Sequence, residues 1–388
     1  MSTIKIGAGL STNIDVTTAL GEALFGATAT FGDEIPNLVV CFISEEHRDS
    51  ADEVAAALGW RFPAAAVIGS TAAGVIGGPE EVEHGPAVSV LTAFLPDTRV
   101  FPFGLRFNED PDGKHTYTGW PEPLVPDATL LMFCDRFSLP AGHLVEHLNQ
   151  TRPGQVVVGG LTSGGQEPGD TRLFYGGRVF DDGAVGVAVE GRVRLRPLVS
   201  QGCRPIGAPM TITRADRNII FELAGERPID VIKALWQRAD STDRALMQHG
   251  LQLGRVVDEY RSEFGYGDFV IRPVMGADPQ EGIIAVGDVV TIGETVQFHV
   301  RDPHSADEDL GKALAAVAEP PHGALLFSCT GRGRAMFQES DHDAIQVTEA
   351  LNAPLAGMFC AGELGPVGGR NFLHGLTASL ALFEDTGA

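Results

Sequence analysis

The sequence is short of cysteine, of basic residues and of long apolar runs. Its five cysteines include no Cys-x-x-Cys pair, which argues against both a disulfide framework and a structural zinc site. No apolar run reaches the length of about eighteen residues that a membrane-spanning helix needs. The N-terminus lacks the basic stretch followed by an apolar stretch that marks a secretion signal. These absences favour a cytoplasmic protein with no membrane-spanning segment.

The shortage of basic residues makes the chain strongly acidic. It has 28 lysines and arginines against 51 aspartates and glutamates, which gives a formal net charge of −23. A surface of this charge repels nucleic-acid phosphates and anionic lipid headgroups. We therefore expect no nucleic-acid partner and no membrane attachment. An anionic ligand would need a local cluster of positive charge.

A pattern of apolar strand, helical stretch and second apolar strand occurs three times. The paired strands cover 38–44 with 66–71, 129–135 with 156–165, and 323–330 with 357–360. Their spacing of roughly thirty residues is that of a strand–helix–strand crossover, so each pair is expected to be parallel with a covering helix. Most other apolar segments also read as strands. The sequence therefore predicts an α/β fold with α+β character, in which helices cover mixed β-sheets.

A chain of 388 residues is long for one hydrophobic core, so two domains are expected. The boundary near 197–202 gives domains 1–199 and 200–388, both built from the recurring units. The proline-rich segment 96–126 predicts an insertion loop. Helices are predicted at 17–29, 48–58, 141–149, 228–238, 242–257, 305–317 and 343–351.

The third unit carries a glycine-rich turn with two arginines. The end of its strand and the turn comprise Ser328, Cys329, Thr330, Gly331, Arg332, Gly333 and Arg334. Glycines let backbone N–H groups approach a ligand closely, and a guanidinium can bind a carboxylate through two parallel hydrogen bonds. The pattern favours an anion site, although a tight connection with solvated arginines would have the same sequence.

A carboxylate follows the second strand of the same unit. Glu363 lies in the glycine turn 361–366. One turn thus offers positive charge and the other negative charge, as a zwitterion such as an amino acid requires. In the alternative interpretation, Glu363 only caps a neighbouring group.

The chain resembles the FIST family of signal-transduction sensors. The matching segments are 202–207, 211–213, 219–225, 228–235, 327–333, 361–366 and 373–377 for the C-terminal domain of the family, and 67–76 for its N-terminal domain. The resemblance implies a sensor of small ligands, with amino acids the usual suggestion. It implies no catalytic residue, because the family has no agreed chemistry.

The resulting hypothesis is a sensor without enzymatic chemistry of its own. Arg332 and the amides of Gly331 and Gly333 would hold a ligand carboxylate, and Glu363 would take its ammonium group. The remaining lining residues on this hypothesis are Ser328, Cys329, Thr330, Arg334, His374 and Thr377. No output module is recognisable in the chain, so the signal would pass to a separate protein such as a histidine kinase. The sequence leaves the oligomeric state open.

Three other chemistries remain open at this stage. Cys329 could act as a nucleophile on a small amide or ester, with His374 or the segment 341–343 as base. His374 could instead ligate haem iron, although no cofactor is expected under the main hypothesis. His143 and His147 match a zinc-peptidase spacing, but no third ligand is recognisable, and a helix with histidines on its solvated face also explains them.

Overall fold

The computed structural model describes residues 3–111, 113–122, 125–261, 263–265 and 267–387. The chain forms two compact units, of which the first contains Met1–Val199, Lys312–Leu373 and Thr377–Ala388, and the second contains Ser200–Gly311 and His374–Leu376. The chain thus leaves the first unit where the sequence places a domain boundary, and re-enters it after Gly311. The assignment of 1–199 and 200–388 to two domains stays a prediction.

Strands dominate both compact units. Up to Gln201, the chain forms β1 (Lys5–Ser11), β2 (Leu38–Ser44), β3 (Ala66–Ala72), β4 (Val75–Gly77), β5 (Glu80–Val82), β6 (Val88–Phe94), β7 (Thr98–Glu109), β8 (His115–Thr118), β9 (Thr129–Cys134), β10 (Val156–Leu161), β11 (Leu173–Tyr175), β12 (Arg178–Phe180), β13 (Ala184–Gly191) and β14 (Val193–Gln201). It then forms β15 (Cys203–Asp216), β16 (Ile219–Leu223), β17 (Leu251–Val256), β18 (Phe269–Asp278), β19 (Ile283–Val286) and β20 (Thr295–Arg301). The last strands are β21 (Ala324–Cys329), β22 (Leu355–Cys360), β23 (Glu363–Val367), β24 (Arg370–His374) and β25 (Thr377–Asp385).

Helices connect many of these strands. They are α1 (Val16–Thr28), α2 (Ala51–Arg61), α3 (Ala141–Thr151), α4 (Pro228–Arg238), α5 (Ser241–Gln248), α6 (Pro303–Ala315), α7 (Gly333–Phe337) and α8 (His342–Leu351), and a 3-10 helix at Glu45–Ser50 precedes α2. The mixed α/β fold predicted from the sequence is confirmed. In the described part of the chain, no helix has both the length and the apolar character needed to cross a membrane.

The three predicted parallel pairs are all present, and all three lie in the first unit. They are β2 with β3, β9 with β10, and β21 with β22. Each has an antiparallel strand on its other side, β6, β13 and β25 respectively. The third copy, which lies far along the sequence, therefore folds with the first two.

The three sheets of the first unit exchange short hairpins in a cycle. Hairpin β4–β5 follows the first pair but joins the sheet of the third, through β22. Hairpin β11–β12 follows the second pair and joins the first sheet, through β3. Strands β23 and β24 follow the third pair and extend the second sheet, through β10. Each sheet is thus completed by a segment from another copy.

A shared core lies between the three sheets. Phe42, Phe133 and Phe327, one from the first strand of each pair, form a cluster with ring centroids 5.1–6.2 Å apart. They are fully buried in one continuous apolar cluster. Edge-to-face contacts of this kind add to the stabilisation from burial. The helices lie on the outer faces; on α3, for example, Leu144, Val145 and Leu148 are buried.

The second unit contains a closed antiparallel barrel with strand order β15-β16-β19-β18-β17-β20. The prediction of a helix over 242–257 is wrong for its second half. Helix α5 ends at Gln248, Gly250 adopts a left-handed φ of 109°, and the chain continues as strand β17. The glycine permits this turn at no steric cost, which ends the helix.

The predicted insertion loop over 96–126 is also wrong in its central part. This segment contains β7, which pairs with β13 along eight positions, and β8, which pairs with the end of β7. Pro102 lies opposite Val187 of β13, and on the other edge of β7 the strand β8 covers only Arg106–Glu109. Proline is tolerated where one edge of a strand is left uncovered.

Candidate functional site

A buried ion pair lies at the carboxyl end of β21. Arg332 follows this strand, and its guanidinium binds Asp343 of α8 through Nε–Oδ2 and Nη2–Oδ1 contacts of 2.7 and 2.8 Å. Both side chains have zero exposure. Ser328 Oγ donates a further hydrogen bond of 3.0 Å to Asp343 Oδ2. The two-point contact is the strong form of an arginine–carboxylate pair.

Burial and ion pairing have opposite effects on the pKa of Asp343. Burial alone would raise the pKa of Asp343, but the charge and hydrogen bonds of Arg332 more than offset it and hold that pKa well below its ordinary value. Both groups are therefore charged at neutral pH. Arg332 Nη1 is buried and has no hydrogen-bond partner among the described residues.

Glu363 is the second fully buried ionisable group of the site. It begins β23, and its Oε2 accepts hydrogen bonds of 2.7 Å from Thr377 Oγ1 and 3.3 Å from Thr377 N–H. Burial raises the pKa of Glu363 to about 8, although the contacts of Thr377 and Cys329 and the charge of Arg332 lower it in part. Within the described chain, Glu363 Oε1 lacks a hydrogen-bond partner. The site thus holds an unused donor group, Arg332 Nη1, and an unused carboxyl oxygen of Glu363. Glu81 Oε2, on hairpin β4–β5, is a second buried carboxyl oxygen without a partner in the described chain.

Cys329 lies beside both of these groups. Its thiol hydrogen-bonds to Glu363, and the N–H of Gly331 donates to its sulfur at 3.5 Å. Cys41 and Cys134 lie in the first strands of the other two parallel pairs, but their positions are not equivalent to that of Cys329. The three pairs can be aligned on a glycine in the second strand of each. Cys41 is the register partner of this glycine in its pair, whereas Cys134 and Cys329 lie two and three residues after the register partner in theirs.

The residues equivalent to Cys329 are engaged differently. In the first pair this position is Ser44, whose Oγ accepts from Ala87 N–H. In the second it is Asp135, which accepts from the N–H groups of Phe137 and Ser138. In the third pair this position is Cys329 itself, a thiol that lies against the buried carboxyl group of Glu363.

Hairpin β4–β5 brings acidic residues from the N-terminal part of the chain to the site. Glu81 Oε1 accepts a 2.9 Å hydrogen bond from Ala344 N–H, the residue after Asp343. Burial and the charge of Asp343 raise the pKa of Glu81 to about 8. Glu83 Oε1 accepts from Arg334 N–H at 2.9 Å, at the start of α7. Sequence reasoning missed Glu81 because its position depends on hairpin exchange between distant copies.

We expect the substitution Glu81→Gln to stabilise the protein above pH 8. The folded state keeps the Glu81 proton up to about pH 8, whereas the unfolded chain loses it near 4.5, so folded stability falls as pH rises through this window. Glutamine keeps the acceptor for Ala344 and has no charge to bury. Its advantage should grow from near zero at pH 4.5 to about 5 kcal/mol above pH 8.

Thermal unfolding of the two proteins across this pH range measures the difference. Glu80→Gln, an exposed neighbour on the same strand, is the matched control and should leave the profile unchanged. An equal effect of both substitutions, or a constant effect of Glu81→Gln at every pH, would contradict the assignment.

The segment 330–342 covers this cluster. The ring of Phe337 stacks on His342 at 3.5 Å, and the Arg332 guanidinium lies 5.2 Å from the centre of the Phe337 ring. Gln338 and Asp341 both adopt left-handed backbone conformations, with φ of 59° and 65°. Such conformations cost residues other than glycine on the order of 1 kcal/mol each. The covering segment therefore stores backbone strain.

The structure brings only some of the predicted site residues together. Ser328, Cys329, Arg332, Glu363 and Thr377 form the buried cluster, and Gly331 contributes its N–H. Gly333 lies against the Glu83 carboxylate, where a Cβ atom would come within 2.8 Å.

Of the other predicted residues, two are exposed and one belongs to the second compact unit. Thr330 and Arg334 are exposed. His374 is buried and belongs to the second compact unit, so its role in ligand or haem binding stays a prediction.

The two histidines with zinc-peptidase spacing lie on α3 and contact aromatic rings. His143 lies edge-on to His115, and His147 packs on Tyr117. Among the residues that the structure describes, no group of three or more histidine, cysteine or acidic side chains has the arrangement of a metal site.

Comparison with known families connects this architecture to a known group. The family model described as the FIST N domain matches residues 37–226, and the model of the FIST C domain matches residues 228–366. The chain belongs to the FIST family. FIST domains are associated with signal-transduction sensing.

Relatives in mycobacteria match the FIST protein along almost its whole length. The "Uncharacterized protein Rv0628c" of Mycobacterium tuberculosis is 43% identical over 387 residues, covering 98% of this chain and 100% of the relative. The "Uncharacterized protein Mb0898c" of Mycobacterium bovis is 43% identical over 389 residues, covering 98% and 99% respectively. The similarity therefore includes both compact units.

Proposed function

We propose that this FIST protein is a small-ligand sensor that binds a carboxylate-bearing metabolite, with an amino acid as the first candidate, at the cluster of Arg332 and Glu363. The observation that carries the proposal is that Arg332 Nη1 and Glu363 Oε1 are buried without partners in the described chain, as is Glu81 Oε2 of the neighbouring hairpin. Buried polar groups are nearly always hydrogen-bonded, and leaving one unpaired costs about 1–3 kcal/mol. A ligand that pairs with both atoms would recover this energy.

The chemistry of the two atoms favours a ligand with a carboxylate. Arg332 keeps its Nη1 amino group unused after its two contacts with Asp343, and a ligand carboxylate oxygen is a natural acceptor for it. Glu363 holds its proton up to about pH 8 and can give it up to receive an ammonium group. Amino-acid binding would therefore release a proton and tighten as pH rises toward 8. A ligand without an ammonium group would show no such gain.

The covering segment 330–342 provides a route for the signal. Its left-handed residues, its stacked Phe337–His342 pair and its contacts to Glu81 and Glu83 depend on the packing around Arg332. Access to the buried cluster requires this segment to move, so ligand-free and ligand-bound forms would present different surfaces. We propose that a separate signalling protein, such as a histidine kinase, reads this difference. None of the five cysteines is in a disulfide in the described chain, which fits the reducing conditions of the cytoplasm.

Thermal unfolding against a panel of amino acids and organic acids tests the proposal. A ligand at a hundred times its dissociation constant should stabilise the protein by about 2.7 kcal/mol, which raises the melting temperature by about 5 °C. Glu363→Gln keeps the contacts with Thr377 but cannot accept an ammonium group, and it should lose the shift for amino acids. Arg332→Ala is a poorer test because it leaves Asp343 charged in the interior.

Glu349→Gln, an exposed substitution on α8, is the matched control and should keep the full shift. A panel that shifts neither the native protein nor this control, or a shift that survives in Glu363→Gln, would contradict the proposal.

A further inference from the structure

Two neighbouring parallel strands each have a cysteine as their last residue. Cys329 of β21 and Cys360 of β22 are register partners, and each is the last residue of its strand. Side chains of register partners point to the same face of a sheet, and neighbouring strands lie about 4.8 Å apart. Disulfides join residues whose Cα atoms are about 4.4–6.8 Å apart. The strand spacing therefore already falls within disulfide range.

Their surroundings distinguish these two cysteines from the other three. Cys329 retains 8% exposure, whereas Cys41, Cys134, Cys203 and Cys360 retain at most 1%. Cys329 also has the N–H of Gly331 directed at its sulfur, and Arg332 interacts with it electrostatically. An N–H donor and a guanidinium both favour a thiolate, whereas the neighbouring Glu363 carboxyl group, which accepts from the thiol, favours the protonated form. Cys329 is thus the thiol that a small oxidant reaches first.

Cys360 has the place and the chemistry of the second thiol. Burial raises the pKa of Cys360 well above its ordinary value, so it stays protonated and does not compete for the oxidant. Gly160 of β10 lies against it, and a Cβ atom at that glycine would come within 3.1 Å of the Cys360 Cβ. This close contact holds the Cys360 side chain in place beside Cys329.

We propose that Cys329 and Cys360 form an oxidisable dithiol pair that reacts with a small hydroperoxide and closes to a disulfide. The Cys329 thiolate attacks one peroxide oxygen; an S–O bond forms, the O–O bond breaks, and the leaving oxygen takes a proton to become water or an alcohol. Cys360 then attacks the sulfur of the resulting sulfenic acid. An S–S bond forms, the S–O bond breaks, and the hydroxide leaves as water with the Cys360 proton. Two thiols are oxidised and one peroxide is reduced.

The disulfide would change the candidate ligand site. Cys329 would lose the thiol hydrogen that bonds to Glu363, and the residues that follow it carry Gly331 and Arg332. Oxidation would therefore alter the same covering segment 330–342 that the proposed ligand moves. The chemistry of the pair itself does not depend on that ligand.

Titration of the reduced full-length protein with hydrogen peroxide tests the pair. We expect a loss of two thiols per chain, a mass decrease of two hydrogens, and a non-reduced peptide map in which the Cys329 and Cys360 peptides are linked. Dithiothreitol should restore both thiols. In Cys360→Ser, Cys329 should stop at the sulfenic acid and form an adduct with dimedone, and Cys329→Ser should lose no thiol at the same peroxide dose.

Cys134→Ala is the matched control and should form the same disulfide as the native protein. The proposal is overturned if the thiols survive a peroxide dose that oxidises free cysteine. It is also overturned if Cys329 of the native protein accumulates as sulfenic or sulfinic acid without a link to Cys360, or if the link joins two chains or another pair of cysteines.

Discussion

The substitution Asp343→Asn should lower the free energy of unfolding by about 4 kcal/mol, because it leaves the guanidinium of Arg332 charged and buried. Both side chains have zero exposure, and Asp343 supplies both acceptors of the two-point contact. The amide of asparagine carries no charge and places N–H groups where an acceptor is needed. Arg332 cannot release its proton to compensate, because a guanidinium stays protonated in proteins.

Thermal or urea unfolding of the variant measures this loss, which should lower the melting temperature by about 8 °C. Replacing both partners, as in Arg332→Met with Asp343→Leu, removes both charges and should recover most of the loss. Glu349→Gln on the exposed face of α8 should have no effect. An Asp343→Asn variant as stable as the native protein would refute the claim that each partner of this buried ion pair depends on the other. A double variant no more stable than Asp343→Asn would refute it as well.

Gly357→Ala should destabilise the first compact unit by about 3 kcal/mol or more. A Cβ atom at this position would lie 2.0 Å from the backbone oxygen of Leu326, its partner in β21. A backbone oxygen within a paired strand cannot rotate away as a side chain could. The strands β21 and β22 would have to separate at the level where they hold the candidate site.

The other two parallel pairs supply an internal comparison. Gly69 and Gly159 occupy the equivalent positions, and a Cβ atom at each would also lie 2.0 Å from the backbone oxygen of its partner. Gly69→Ala should therefore be as damaging as Gly357→Ala, as judged by unfolding in urea. Gly142→Ala on α3, where a Cβ atom meets nothing within 4 Å, should be neutral or slightly stabilising. Similar stabilities for all three variants would show that the close approach can relax.

The sequence predicted the parallel pairs correctly because their signals are local. Each strand is a short apolar run that ends in a turn, and the helix between two strands shows its own periodicity. The cyclic exchange of hairpins was not predictable in this way. The hairpin residues Val75–Gly77 and Glu80–Val82 form short strands, and nothing near them in sequence identifies a partner almost three hundred residues away.

The candidate site was predictable to the same limited extent. The glycine turn after the first strand indicated Arg332, and the glycine turn after the second strand indicated Glu363. In the structure, Glu363 lies close enough to Arg332 for their charges to interact. Asp343 was considered only as part of a possible base for Cys329, and the structure shows that it binds Arg332 instead. Glu81 was missed altogether, because its place beside Asp343 follows from tertiary pairing and not from any local pattern.

Equilibrium dialysis against a mixture of the standard amino acids and common organic acids, followed by quantitative mass spectrometry, tests the central claim most directly. The comparison is between the native protein, Glu363→Gln and the control Glu349→Gln. If the unpaired atoms of Arg332 and Glu363 form a ligand site, the native protein and the control will retain one amino acid or a close analogue, and Glu363→Gln will not. Equal distribution of every compound across the membrane for all three proteins would contradict the account.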